Sequence, residues 1–184
     1  MTVDEYSIDE HMHRFAVWTA ARAASRSRLK NSEVDYLIRA SSLRDDIDKL
    51  RTNVDLTEPE YRSWLKNKGE EIVKLAHEKN WSDFKTKTFK FGLAAKIISI
   101  YIKTVEVLPT MGLSLLARVV HPPIDGILLR SISSTSVGKM KANWSTFEWP
   151  EYENTINRIL IKYHSVPGWK IEHCWKVSDE ESDI

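Results

Sequence analysis

Residues 91–132, FGLAAKIISIYIKTVEVLPTMGLSLLARVVHPPIDGILLRSI, constrain the fold more than any other part of the chain. Two adjacent prolines, Pro122 and Pro123, fix φ and push the residue before each away from helical backbone. The chain must therefore turn through an extended corner at residues 121–124. Asp125 follows at once, where Ile127, Leu128, Leu129 and Ile132 open a new apolar helix. Before the corner, the spacing predicts a helix from about Phe89 to Leu108 that buries Ala94, Ala95, Ile97, Ile98, Tyr101, Ile102 and Val105. Lys96, Ser99 and Lys103 lie three and four apart on it, so they share one face. A rigid corner thus holds one carboxylate at a helix N-terminus, with lysines on the preceding helix. Two uses fit such an Asp125. It is a helix cap, its oxygen satisfying an amide two or three residues on, or a reactive carboxylate held ionised by the helix dipole. In the first case Lys96 belongs to a solvated face with Ser99 and Lys103.

The rest of the chain also reads as helical. Ser7-Ile8-Asp9-Glu10 fits a capping box. The helix it opens is expected to reach about Arg28, with a core stripe of Met12, Phe15, Ala16, Thr19, Ala20 and Ala23. Ser32 is the expected cap of a short helix carrying Val34, Leu37 and Ile38, and residues 43–50 form another. Thr57-Glu58-Pro59-Glu60 is a strong helix start. The helix it begins carries Tyr61, Trp64, Leu65, Ile72, Val73 and Leu75, with Gly69 weakening its middle. Pro150 starts a helix with Tyr152, Ile156, Ile159, Leu160 and Tyr163, closed by Pro167-Gly168. Residues 169–177 form a last helix or extended piece. Residues 133–143, SSTSVGKMKAN, are the expected mobile loop beside a cleft. Strand-like alternation, internal repeats and a Gly-rich phosphate loop are not found. The expected fold is all-α: a single two-lobed helical domain over residues 1–177 with a basic cleft, then a disordered acidic tail at 178–184.

Net charge is only +1, but the charges are segregated. Residues 11–32 hold five basic residues and no acid. Residues 84–147 hold nine basic residues against Glu106 and Asp125. Such polarity suits a polyanion on one face, or solvated helix surfaces. Cys174 is the one cysteine, so no internal disulfide or cysteine zinc site is expected. The histidines form no HExxH and no cluster, so no metal or other cofactor is expected. The polar N-terminus reads as no secretory signal, and no apolar run has membrane-spanning length. The expectation is a cytoplasmic protein with no membrane partner.

The run from Lys85 to Ile132 resembles the catalytic half of the helix-hairpin-helix DNA glycosylase superfamily, especially its divergent archaeal 8-oxoguanine branch. There a helix-borne lysine precedes a Pro-x-Asp corner that opens the next helix. Pro123-Ile124-Asp125 matches the corner and Lys96 the lysine. The chain departs from the pattern in lacking a glycine-rich hairpin of the Leu-Pro-Gly-x-Gly type; only Phe91-Gly92 stands near that place. The resemblance implies a two-lobed helical glycosylase fold and a DNA duplex with a flipped base as partner. It implies Asp125 and Lys96 as catalytic residues, acting on a damaged or modified base, with attack on modified phage DNA as one specialised role.

The chemistry explains these residue types. Base release passes through an oxocarbenium-like state that an ionised Asp stabilises while orienting water. A neutral lysine can attack C1′ and form a Schiff base. A flipped base needs a flat pocket, and the chain has seven tryptophans. Trp18, Trp144 and Trp175 are the base-pocket candidates, Trp144 being the least core-like because it ends the basic loop. Arg22, Arg26, Lys87, Lys90, His121, Lys139 and Lys141 are the candidate nucleic-acid contacts. The main alternative is a non-enzymatic helical nucleic-acid-binding or assembly subunit in which Asp125 only caps. A third is a helical ribonuclease toxin built on Arg158 and His164.

Overall fold

The computed structural model describes residues 6–24, 28–81, 89–133 and 143–174. Among these the chain is all-helical, with no strand. Nine α-helices run in the order α1 (Ile8–Ala23), α2 (Asn31–Ala40), α3 (Leu43–Thr52), α4 (Glu58–Glu78), α5 (Phe91–Ile102), α6 (Leu115–Val119), α7 (Gly126–Ser133), α8 (Trp149–Lys162) and α9 (Gly168–Ile171). A π-helical turn, Lys103–Val107, extends α5. Short 3₁₀ turns stand at Trp144–Thr146 and Glu172–Cys174. Arg26, Lys87, Lys139, Lys141 and Trp175, most of the expected 133–143 loop and the expected acidic tail lie outside the described residues.

α5 is the centre of the fold. All of its residues except Ile100 are buried, as expected of a helix that is apolar nearly all round. It packs on α1, α4, the Trp144–Thr146 turn and α8. α1 packs against α5 through small side chains that allow close approach, and this moves the expected stripe on α1. The buried face is His13, Ala16, Val17, Ala20 and Ala21, while Phe15 is 52% exposed. The helix also ends sooner than expected, with Ala24 as its C-cap. α2 is capped from Lys30, not Ser32, because the Glu33 carboxylate accepts the Lys30 amide at 2.6 Å.

On α4, Gly69 is a packing requirement as well as a weak helix former. A Cβ there would stand 2.4 Å from the Phe91 ring. α5 does not continue as an α-helix to Leu108, because Arg51 holds the wider π turn from α3. Its guanidinium donates to the Val105 carbonyl at 2.6 Å and pairs with the buried Glu106 at 2.6 Å. A second polar tie joins α1, α2 and α5. His13 is 2% exposed and lies 2.8 Å from both Asp35 Oδ1 and the Tyr101 hydroxyl. A carboxylate only accepts, so His13 Nε2–H donates to Asp35 and Nδ1 accepts from Tyr101. Burial pushes the Tyr101 hydroxyl up to about 12, which keeps it a donor.

Candidate functional site

The corner forms as the prolines require. α6 ends at Val120 with extended backbone, and Val120–Ile124 are all buried. Its flank is closed by α9, where a Cβ on Gly168 would stand 2.0 Å from the Val120 carbonyl oxygen. The corner delivers Asp125, half-buried, to the start of α7. Its two carboxylate oxygens have separate tasks. Oδ1 accepts the Leu128 amide at 2.8 Å, an N-cap bond. Oδ2 faces Lys96 Nζ at 3.3 Å. The cap and the charged partnership therefore coexist in one side chain.

Lys96 is not on a solvated face. It is 7% exposed, and Ser99 is 4% exposed. The ammonium stands 4.4 Å from the centroid of the Trp144 ring, a cation–π distance. Trp144 is itself buried, at 3% exposure, contrary to its reading as least core-like. It is brought there by Gly92 in the first turn of α5. The Gly92 amide donates to the Phe147 carbonyl at 2.9 Å. A Cβ at Gly92 would stand 1.9 Å from the Trp144 carbonyl oxygen.

Beside Asp125 opens a cleft of about 130 Å³ lined by Lys103, Pro123, Asp125, Leu128 and Glu172. Lys103 pairs across it with Glu172 at 2.5 Å. Glu172 Oε1 and Ser99 Oγ are buried without a hydrogen-bond partner among the described residues. Sequence reasoning missed Glu172, whose contact spans 69 residues. It did place Lys103 on the Lys96 face.

The other candidates divide. Trp18 does not line this cleft. It is 44% exposed, stacks on Phe15 at a ring-centroid distance of 5.9 Å, and carries the Arg22 guanidinium over its ring, 5.4 Å from the centroid. Lys90 pairs with Glu148. His121 is no surface phosphate contact, because it is 2% exposed. The ring turns inward. Its Nε2 lies 2.8 Å from Glu58 Oε1, and its Nδ1 lies 3.2 Å from the Tyr152 hydroxyl. Arg158 is half-buried in α8, whereas His164 is exposed beyond that helix. Among the described residues, no group of three or more His, Cys, Asp or Glu could hold a metal ion. No helix among them is long and apolar enough to cross a membrane.

The His121 pair has a pH consequence. Burial pushes the His121 imidazole below its ordinary 6.5, only partly offset by the Glu58 hydrogen bond. Burial also raises the Glu58 carboxyl, but hydrogen bonds from His121 and Arg62 outweigh this and hold it below its ordinary 4.5. As pH falls through 6.5, the unfolded His121 binds a proton before the folded one does. Stability is therefore full above that pH and declines below it. Glu58 adds a second loss below 4.5. Thermal melts between pH 8 and pH 5 should show Tm falling below about pH 6.5, with a flatter profile in His121→Phe. A wild-type Tm that rises on acidification would contradict this account.

No family model, curated protein or solved structure matches the chain.

Proposed function

We propose that the chain is a DNA glycosylase-like enzyme that hydrolyses the N-glycosidic bond of a flipped, damaged or modified base. One observation carries this: Lys96 and Asp125, 29 residues apart, meet at 3.3 Å beside a cleft and beneath a tryptophan ring. Lysine and carboxylate are the two groups such chemistry uses. Asp125 Oδ2, beside the sugar, stabilises the developing oxocarbenium charge and orients the attacking water. Lys96 is the counter-ion of that carboxylate at 3.3 Å; on losing its proton it becomes a nucleophile for C1′, which is the route to a Schiff base. The cleft volume is well below the ~300–1,000 Å³ of ordinary small-molecule sites, so a base enters only as the cleft widens. The Lys103–Glu172 pair then supplies polar groups to a base edge. A two-lobed domain, in the cytoplasm and directed at modified phage DNA, is the setting we propose; the expected basic cleft is not the one beside Asp125, which carries Lys103 against Asp125 and Glu172.

The decisive experiment is an abasic-site assay on a panel of modified duplexes, with borohydride trapping to detect a lysine-linked intermediate. Base release from at least one duplex supports the proposal, and no release from any counts against it. Duplex binding should weaken steeply between 50 and 200 mM salt, because phosphate contacts release counterions. Binding that is absent at low salt would remove DNA as the substrate. The non-enzymatic reading has its own support, since the Oδ1 bond to Leu128 shows that Asp125 caps α7. It predicts salt-dependent binding with no base release.

A further inference from the structure

A polar brace holds the corner that carries Asp125. His121 sits four residues before Asp125, and its ring reaches two other helices. Tyr152 on α8 is buried and its hydroxyl pKa is raised by burial, so it donates to His121 Nδ1 at 3.2 Å. Nε2–H then donates to Glu58 Oε1, at the first residue of α4, at 2.8 Å. Arg62 donates to the same oxygen at 2.8 Å and reaches Asn157 on α8 at 2.5 Å. Tyr61 packs edge-on against the imidazole with ring centroids 5.2 Å apart. Gly168 packs closely on Val120 and Pro122 at the same corner. A buried imidazole with both nitrogens engaged has one orientation. Every residue between it and Asp125 is buried, and two are prolines, so the register of the ring is transmitted to the carboxylate.

We propose that His121 and Glu58 are positioning residues for Asp125. Their hydrogen bond fixes the corner so that one carboxylate oxygen caps α7 while the other stands toward Lys96 and the cleft. The proposal rests on Asp125 being the carboxylate that acts on the substrate.

The test uses the full chain and four variants. His121→Phe and Glu58→Met break the bond. Glu58→Gln keeps an acceptor for Nε2–H, and His121→Gln keeps a donor for Glu58. In base-excision kinetics, His121→Phe and Glu58→Met should lose about tenfold to a hundredfold in kcat. KM and duplex affinity should change by no more than about twofold, since neither residue reaches the DNA. Glu58→Gln and His121→Gln should recover most of the loss. A folded His121→Phe or Glu58→Met with wild-type kcat overturns the proposal, as does Glu58→Gln failing as badly as Glu58→Met. Hydrogen exchange gives a readout that needs no substrate. The Leu128 amide, held by Asp125, should exchange about tenfold faster in His121→Phe, while Leu65 in the middle of α4 serves as the control for global opening. If the wild-type protein releases no base, the glycosylase reading fails, and positioning is decided by exchange alone. Acceleration at Leu128 beyond that at Leu65 supports it, and equal acceleration overturns it.

Discussion

Asp125→Asn should abolish base excision while leaving a folded protein. The amide oxygen can still accept the Leu128 amide, now made by Oδ1 at 2.8 Å, and Asn caps about as well as Asp. The substitution removes only the charge on the side facing Lys96. Loss of the charge that stabilises the oxocarbenium state should lower the rate by at least about a hundredfold. The cost in stability comes from Lys96, which is 7% exposed and keeps the Trp144 ring but loses its carboxylate. That cost should be about 1–2 kcal/mol, because Asp125 is 20% exposed and water screens the pair. Duplex binding should hold or tighten, since a carboxylate beside phosphates is gone. An Asn variant that excises at the wild-type rate would end the assignment of Asp125. Lys96→Met in the same assay separates the two chemistries. Retained base release with lost trapping marks a lysine-linked lyase step. Absence of trapping in the wild type leaves Asp125 acting with water alone.

What the sequence disclosed follows from the range of the interactions involved. Helix starts are local, and Ser7-Ile8-Asp9-Glu10 and Thr57-Glu58-Pro59-Glu60 were legible over three residues; the Glu60 carboxylate returns to the Thr57 amide, whereas at the first start only the Ser7 hydroxyl caps and the Glu10 carboxylate pairs with Arg14 instead. The corner at Pro122-Pro123 was equally local, and it fixed where Asp125 stands. The face of α1 that packs was not legible, because it depends on what α5 presents. Against the apolar α5, the alanine side of α1 is buried and the Phe15–Trp18 side is left outside. Trp144 and His121 were misread for the same reason. Trp144 ends a polar basic run, yet its partner Lys96 lies 48 residues earlier. His121 borders a basic segment, yet its partners Glu58 and Tyr152 lie 63 and 31 residues away. One local signal was present and was read differently. Gly92, in the first turn of an otherwise bulky apolar helix, marks a close backbone approach and was noted only in place of a missing hairpin.

Gly92→Ala should therefore be among the most damaging single-methyl changes in the chain. In isolation the substitution favours a helix by about 1 kcal/mol. Here the added Cβ would stand 1.9 Å from the Trp144 carbonyl oxygen and 3.3 Å from Phe147 Cβ. The obstacle is main chain, so no rotamer change relieves it, and the Trp144–Thr146 turn must move as a unit. That turn is tied to α5 by the Gly92 amide bond to Phe147, which would stretch as well. Overpacking of this kind costs about 1–3 kcal/mol, and an immovable partner places it at the upper end. For a chain of this size, the loss should appear as a fall in Tm of about 5–10 °C. The same movement carries the Trp144 ring away from the Lys96 ammonium, now 4.4 Å from its centroid. Base excision measured well below the new Tm should therefore drop too, beyond what the unfolded fraction explains. Gly69→Ala is the comparison, because its obstacle is the Phe91 ring, a side chain rather than main chain. It should lower Tm by less than Gly92→Ala does. A Gly92→Ala protein that melts within about 1 °C of wild type would show that the turn is not held where the Lys96–Trp144 contact requires it.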